Sequence, residues 1–159
     1  MNYYLIILSI SILFSNSMRT VYFDTGGSVA SDWIYFDSRG SVASDWIYFD
    51  SRGSVASKWV YLTKDCQDAD VEILTDYDVS ADWIYFDSRG SVASDWIYLD
   101  SRGSVASEWI YITTKPMSAD YTICLDVDNL LSYYDKDEKE VMLQKYIAAS
   151  LYKYLFPKE

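Results

Sequence analysis

Carboxylates recur at two fixed positions of this chain of 159 residues, and stacked carboxylates are a possible calcium site. One set follows four of the six Trp by four residues and consists of Asp37, Asp50, Asp87 and Asp100. The other directly precedes Trp and consists of Asp32, Asp45, Asp82, Asp95 and Glu108. However, no EF-hand spacing is present, and each turn carries an Arg. We therefore predict that the turn Asp side chains cap their turns and pair with Arg, and we predict no metal site.

Trp and Cys are the other residues that could do chemistry. The Trp residues could stack on sugar rings, but a Trp repeated in every unit beside apolar residues favours packing in the core. They are Trp33, Trp46, Trp59, Trp83, Trp96 and Trp109. Cys66 and Cys124 could form a disulfide in an exported protein. Because they stand at unequal repeat positions, we expect two unpaired thiols, with Cys124 buried.

The composition excludes several classes of function. There is no His, which removes Ser-His-Asp catalysis and imidazole metal ligands, and two Cys cannot form a four-ligand zinc site. No nucleophile elbow or Gly-rich phosphate loop is present. The net charge of −11 disfavours nucleic-acid binding. We therefore predict a protein that is not an enzyme and that has no catalytic residues, no cofactor and no nucleic-acid partner.

A repeat of 12–13 residues must position these groups. Trp33, Trp46 and Trp59 are 13 residues apart, as are the three later Trp, and the gap of 24 between the two blocks accommodates one unit without Trp. Nine related units run from about residue 20 to 126. In each, Trp-Ile-Tyr-Phe predicts a short strand and Asp-Ser-Arg-Gly a turn. Both faces of such a strand are apolar and require cover, which predicts a propeller, barrel or solenoid.

A family resemblance rests on Val21-Tyr22-Phe23-Asp24, on the Asp-Trp-Ile-Tyr segments and on the stretch from Leu62 to Ile73. These residues resemble the 7(1) septoil knot domain family, bacterial β-repeat domains of unknown function. The resemblance covers roughly residues 20 to 126. It implies a propeller-like, knotted arrangement of strands, and it brings no catalytic residues. Periodicity alone predicts no knot.

The two ends of the chain differ from the repeats. Leu5 to Phe14 is apolar and uncharged and is followed by Ser15-Asn16-Ser17, which predicts a secretory signal peptide over residues 1–17, cleaved after Ser17. The alternatives are a short membrane anchor or a buried strand. Asp135 to Glu138 is a capping box that begins an amphipathic helix ending near Phe156. We expect this helix to pack on the β-body, over an edge strand or an open end; the alternative is a helix that binds a partner or a membrane surface.

Together these observations predict a signal peptide (1–17), an all-β domain of nine strands (18–127) and a C-terminal helical segment (128–159). The predicted protein is acidic, secreted or periplasmic, and without membrane attachment once the signal is removed. We predict that it functions as an exported structural or binding module. Its partner would be a component of the cell envelope or a glycan, and the sequence does not identify which. The alternative is a calcium- or glycan-binding repeat domain.

Overall fold

The computed structural model describes residues 17–27 and 29–158. The predicted signal peptide therefore lies, apart from Ser17, outside the described residues. The described part contains nine short strands, a 3₁₀ turn over Pro116–Ser118 and two helices, α1 (Val127–Leu130) and α2 (Lys136–Leu155). The strands are β1 Arg19–Asp24, β2 Asp32–Phe36, β3 Asp45–Phe49, β4 Lys58–Thr63, β5 Val71–Leu74, β6 Asp82–Asp87, β7 Asp95–Asp100, β8 Glu108–Thr113 and β9 Tyr121–Cys124. The predicted strand for each repeat unit is confirmed.

The strands form a closed barrel in the order β1-β5-β9-β4-β8-β3-β7-β2-β6. All neighbours are parallel. Consecutive strands along the chain are separated by one other strand, so the chain passes around the barrel twice. Strands β1 to β4 belong to the first circuit, and strands of the second circuit, such as β6 and β7, fill the spaces between them. The two Trp-rich blocks of the sequence therefore interleave in space.

The connections between strands are short because the strands are short. Residues 37–44, between β2 and β3, can reach about 26 Å when extended, whereas a strand of five residues is about 17 Å long. Eight residues therefore suffice to return from the carboxyl end to the amino-terminal end of the barrel and to pass over one strand. Parallel strands of ordinary length need a connection of about a dozen residues or more.

Each of these connections crosses the outside of the barrel, over the strand that separates the two it joins. A Cβ atom built on Gly53, between β3 and β4, would lie 2.7 Å from the ring of Tyr111 on β8. Four further Gly–Tyr contacts mark the same crossing over β6, β7, β2 and β3: Gly27 on Tyr85, Gly40 on Tyr98, Gly90 on Tyr35 and Gly103 on Tyr48. The outer apolar face of the strands is thus covered by the turns of the repeat itself.

The inner face of the barrel is lined by one fully buried aliphatic residue from each strand. Ile34 and Ile84 are 1% exposed, and Val21, Ile47, Val60, Val71, Ile97, Ile110 and Ile123 are completely buried. Neighbouring strands are staggered by two residues, so that Ile34 lies opposite Asp95 and Ile97 lies opposite Asp45. Such a stagger tilts the strands and widens the barrel beyond what its own side chains can fill.

Helix α2 lies inside the barrel. Ile147, Ala148, Ala149 and Ser150 are each at most 1% exposed, and since consecutive helical residues point about 100° apart, the helix is enclosed on every side. Tyr146 packs on Phe23 and Phe86 near the carboxyl ends of the strands, and Lys153 pairs with Asp32 at their amino ends. The helix therefore runs antiparallel to the strands. Its small residues allow it to fit a lumen lined by Ile side chains.

This placement corrects the expectation that the helix packs on the β-body over an edge strand or an open end. A closed barrel has no edge, so the one surface left for an apolar helix is the lumen. The helix limits were predicted correctly, because the capping box is present: the Glu138 carboxylate accepts the Asp135 backbone N–H at 3.4 Å. Neither helix in the described ranges combines the length and the apolar character that a bilayer span requires.

Candidate functional site

One of the crossing loops that depart from the repeat carries the most exposed aromatic ring of the barrel surface. Residues 75–81 connect β5 to β6 and pass over β1. Counted back from Trp83, Tyr77 holds the place that Gly40 holds before Trp46, and Asp76 replaces Arg39. Tyr77 is 63% exposed. Where five of the crossings bury a Tyr ring beneath a Gly, this crossing presents an additional Tyr ring to solvent.

The ring of Tyr77 is held in place by its neighbours. It stands perpendicular to Trp83, with ring centroids 4.9 Å apart, and edge-on to Tyr22 at 6.3 Å. The Trp83 indole N–H donates to the Asp78 carbonyl at 2.9 Å, and the Ser80 N–H and hydroxyl both donate to the Asp78 carboxylate. These bonds fix the loop directly after Tyr77. The ring is therefore a preorganised platform rather than a loose side chain.

Two clefts meet at Tyr77. The first, the polar cleft, has a volume of about 420 Å³ and is lined by apolar residues together with the charged side chains of Lys64, Glu72, Asp76 and Asp126. Lys64 is held in place by ion pairs with Asp126 at 3.0 Å and Asp128 at 3.2 Å, which raise the pKa of its amine. This side of the ring therefore offers fixed hydrogen-bond donors and acceptors.

The second cleft, on the other side of Tyr77, has a volume of about 320 Å³. Its lining is mostly apolar and includes Val29, Val79, Ala81 and Trp83. An exposed aromatic face between a polar and an apolar cleft suits a ligand that combines an apolar face with hydroxyl groups. Sequence reasoning missed Tyr77, although the replacement of a repeat Gly by Tyr was visible in the alignment of the units.

The disulfide Cys66–Cys124 forms one wall of the polar cleft. The expectation of two unpaired thiols is wrong, because Cys66 lies in the loop that crosses over β9 and thereby meets the end of that strand. The unequal repeat positions of the two residues reflect this crossing of a loop over a strand. Glu72 lies near both sulfur atoms, within 4.8 Å. Because the disulfide leaves no thiolate, these three residues do not fit a metal ion.

The turn carboxylates bind the backbone of their own turns. Asp37, Asp50 and Asp100 accept the backbone N–H two residues later at 3.1–3.2 Å, as Asp87 does at 3.4 Å, which confirms the predicted capping. In the first of these turns the Ser41 N–H also donates to Asp37, and mainly for this reason the pKa of Asp37 falls to about 2. The predicted Asp–Arg pairing is wrong: within the described ranges no ion pair involves a turn Arg.

Four of the five acidic residues before Trp meet cations or the end of α2 at the amino-terminal mouth of the barrel. Arg19 donates to Asp82 at 2.6 Å, Lys153 pairs with Asp32 at 2.7 Å, and Lys158 pairs with Asp95 at 2.6 Å. Burial would raise the pKa of Asp82, but Arg19 and Lys153 together hold it below its usual value. Tyr152 donates its phenol proton to Asp45. These carboxylates therefore fasten the helix in the barrel. Glu108, the remaining member of the set, accepts the Ser57 hydroxyl at 2.9 Å.

The Trp row forms an outer packing layer. All six Trp are partly buried, and each packs against a Tyr directly opposite on the neighbouring parallel strand, with ring centroids 4.8–5.2 Å apart. The pairs are Trp33–Tyr85, Trp46–Tyr98, Trp59–Tyr111, Trp83–Tyr22, Trp96–Tyr35 and Trp109–Tyr48. The Trp residues thus pack, as expected, but outside the barrel wall rather than in the lumen.

Comparisons with known proteins do not assign this site. The chain matches no protein-family model, no curated protein and no solved structure. The chemistry of the site must therefore be inferred from its own residues.

Proposed function

We propose that the chain is an exported, non-enzymatic binding module that holds a neutral glycan against Tyr77. The observation that carries this proposal is the exposed ring of Tyr77, fixed at 4.9 Å from Trp83 between two clefts. A sugar ring has an apolar face that stacks on an aromatic ring and hydroxyl groups that hydrogen-bond to carboxylates. The lumen is filled by α2, so binding takes place on the outer surface.

Calcium is the less favoured ligand. The turn carboxylates accept backbone N–H groups, and three carboxylates of the amino-terminal mouth pair with Arg19, Lys153 and Lys158. A calcium site needs six to eight oxygen ligands around one point. We therefore propose no calcium site in these carboxylate sets.

Export is supported by the disulfide Cys66–Cys124, since structural disulfides persist in oxidising compartments. The test is to express the full chain in a bacterial host and to determine the mass and amino-terminal sequence of the product. A product that begins at Met18 in the periplasm or medium supports export. An intact chain in the cytosol contradicts it.

We also propose that the double winding of the strands closes a knot, as the resemblance to septoil knot domains implies. Loops of each circuit pass outside strands of the other, for example Gly53 over Tyr111, which supports this arrangement. Pulling the reduced chain by its two ends tests the proposal. A knotted chain reaches a shorter extended length than its number of residues allows, whereas an unknotted chain reaches the full length.

Glycan binding is tested with three neutral hexasaccharides, of glucose, of N-acetylglucosamine and of mannose, by calorimetric titration of the mature protein. A sugar that covers roughly 50 Å² of the Tyr77 ring gains about 1.3 kcal/mol, so Tyr77→Ala should weaken binding about tenfold. Tyr133→Ala is the matched control, because Tyr133 is 95% exposed and lies away from the clefts. The proposal fails if no hexasaccharide binds, or if Tyr77→Ala and Tyr133→Ala bind equally well.

A further inference from the structure

We propose that a row of four arginines on the outside of the barrel binds an anionic polysaccharide, at a site separate from the Tyr77 clefts. The arginine row consists of Arg52, Arg102, Arg39 and Arg89. Each lies directly before the Gly of its crossing loop, and the four loops cross β8, β3, β7 and β2. These are four adjacent strands of the barrel. Residues distant in sequence are thereby brought into one line.

The guanidinium groups of the row are available to a ligand. All four Arg are exposed, and none forms an ion pair among the residues that the structure describes. The Asp of each turn is partly buried and accepts a backbone N–H of its own loop. The carboxylates thus lie against the loop backbone, while the cations face solvent. The residue before each Arg is an exposed Ser, which adds a hydroxyl donor: Ser51, Ser101, Ser38 and Ser88.

The spacing of the row identifies the kind of anion. Neighbouring strands are about 4.8 Å apart and staggered by two residues of about 3.3 Å, which puts equivalent positions about 8 Å apart. A polysaccharide with one charge for every one or two sugars presents anions at intervals of this order. Arg binds carboxylate and sulfate groups through two parallel hydrogen bonds, so each crossing can hold one such group.

Two other anionic partners fit the row less well. Duplex nucleic acid carries about one charge per 1.7 Å, far denser than the row, and it would meet the remaining surface of a chain with net charge −11. A lipid surface is flat, whereas four adjacent strands of a closed barrel follow a convex arc. A flexible chain can bend along this arc and reach all four Arg at once.

The test uses an oligogalacturonate of eight sugars as the probe, with the fully methyl-esterified oligosaccharide as its neutral counterpart. Calorimetric titration compares wild-type protein with Arg39→Gln/Arg89→Gln/Arg102→Gln. Three exposed ion pairs account for roughly a tenfold to hundredfold change in affinity, so this variant should bind that much more weakly. Wild-type binding should weaken on going from low to physiological salt, and the ester should not bind.

The matched control removes three cations from the opposite, amino-terminal end of the strands, in Lys58→Gln/Lys153→Gln/Lys158→Gln. It has the same net charge as the Arg variant, and melting curves check that both variants are folded. The control should bind the probe within about twofold of wild type. Tyr77→Ala should also leave this binding unchanged, which separates the arginine row from the glycan site. Equal losses in the two triple variants overturn the proposal, as does binding of the ester. So does tighter binding, through the same Arg, to vesicles rich in phosphatidylglycerol.

Discussion

The loop between β3 and β4 crosses over β8 at Gly53, and this contact can be tested by substitution. The φ of Gly53 is +68°, and a Cβ atom there would lie 2.7 Å from Cδ1 and 2.9 Å from Cε1 of Tyr111. Gly53→Ala therefore holds an Ala in a left-handed conformation, which costs about 1–2 kcal/mol. It also creates a steric contact that only a movement of the Tyr111 ring can relieve. We expect a total loss of about 2–4 kcal/mol in the free energy of unfolding.

The assay is equilibrium denaturation in guanidinium chloride followed by Trp fluorescence. Gly26→Ala is the matched control, because Gly26 lacks a positive φ and its Cβ atom would meet nothing closer than 3.9 Å. It should change stability by less than about 0.5 kcal/mol. In a Tyr111→Leu background, Gly53→Ala should lose the steric part and keep the backbone part. A Gly53→Ala protein as stable as Gly26→Ala refutes the crossing contact.

Three further predictions concern the lumen, the mouth and the disulfide. Ile147→Ala, which empties space at a completely buried position of α2, should destabilise the protein by about 2–5 kcal/mol in the same assay, whereas Val141→Ala, at 47% exposure, should cost little. Burial, aided by nearby carboxylates, raises the pKa of Tyr152 above its usual 10.0. The protonated phenol of Tyr152 therefore contributes fully to stability below pH 10, and this contribution is lost as the pH rises further. Tyr152→Phe should remove that part of the loss of stability at alkaline pH, which a pH series of melting curves measures. Cys66→Ser/Cys124→Ser should lower stability by about 2–4 kcal/mol, since the disulfide spans 58 residues, and a reducing agent should then have no further effect.

Local features of this fold could be predicted from the sequence. The nine strands, the turn capping by Asp37 and its equivalents, and the start of α2 at its capping box depend on residues close together in the chain. Because side chains alternate along a strand, the sequence also indicates that Ile34 and Trp33 face opposite sides. These signals are visible because a few neighbouring residues determine each of them.

The arrangement of the strands could not be predicted. Val21 pairs with Asp82, 61 residues away, and nearly identical repeats offer many equivalent partners to each strand. For the same reason the meeting of Cys66 and Cys124 depends on which loop crosses β9, and the position of α2 depends on whether the barrel closes. Tyr77 differs: its replacement of a Gly is a local signal, but its meaning depends on the clefts that the crossing creates.

The winding of the barrel restricts how the repeat array can gain or lose copies. Consecutive strands advance by two places around a ring of nine, and such steps visit every place because nine is odd. In a ring of ten the sixth strand would return to the place of the first, and half of the places would stay empty. Units should therefore be gained or lost in pairs. A single added copy of Trp-Ile-Tyr-Phe-Asp-Ser-Arg-Gly-Ser-Val-Ala-Ser-Asp should prevent closure, although its sequence repeats one already present.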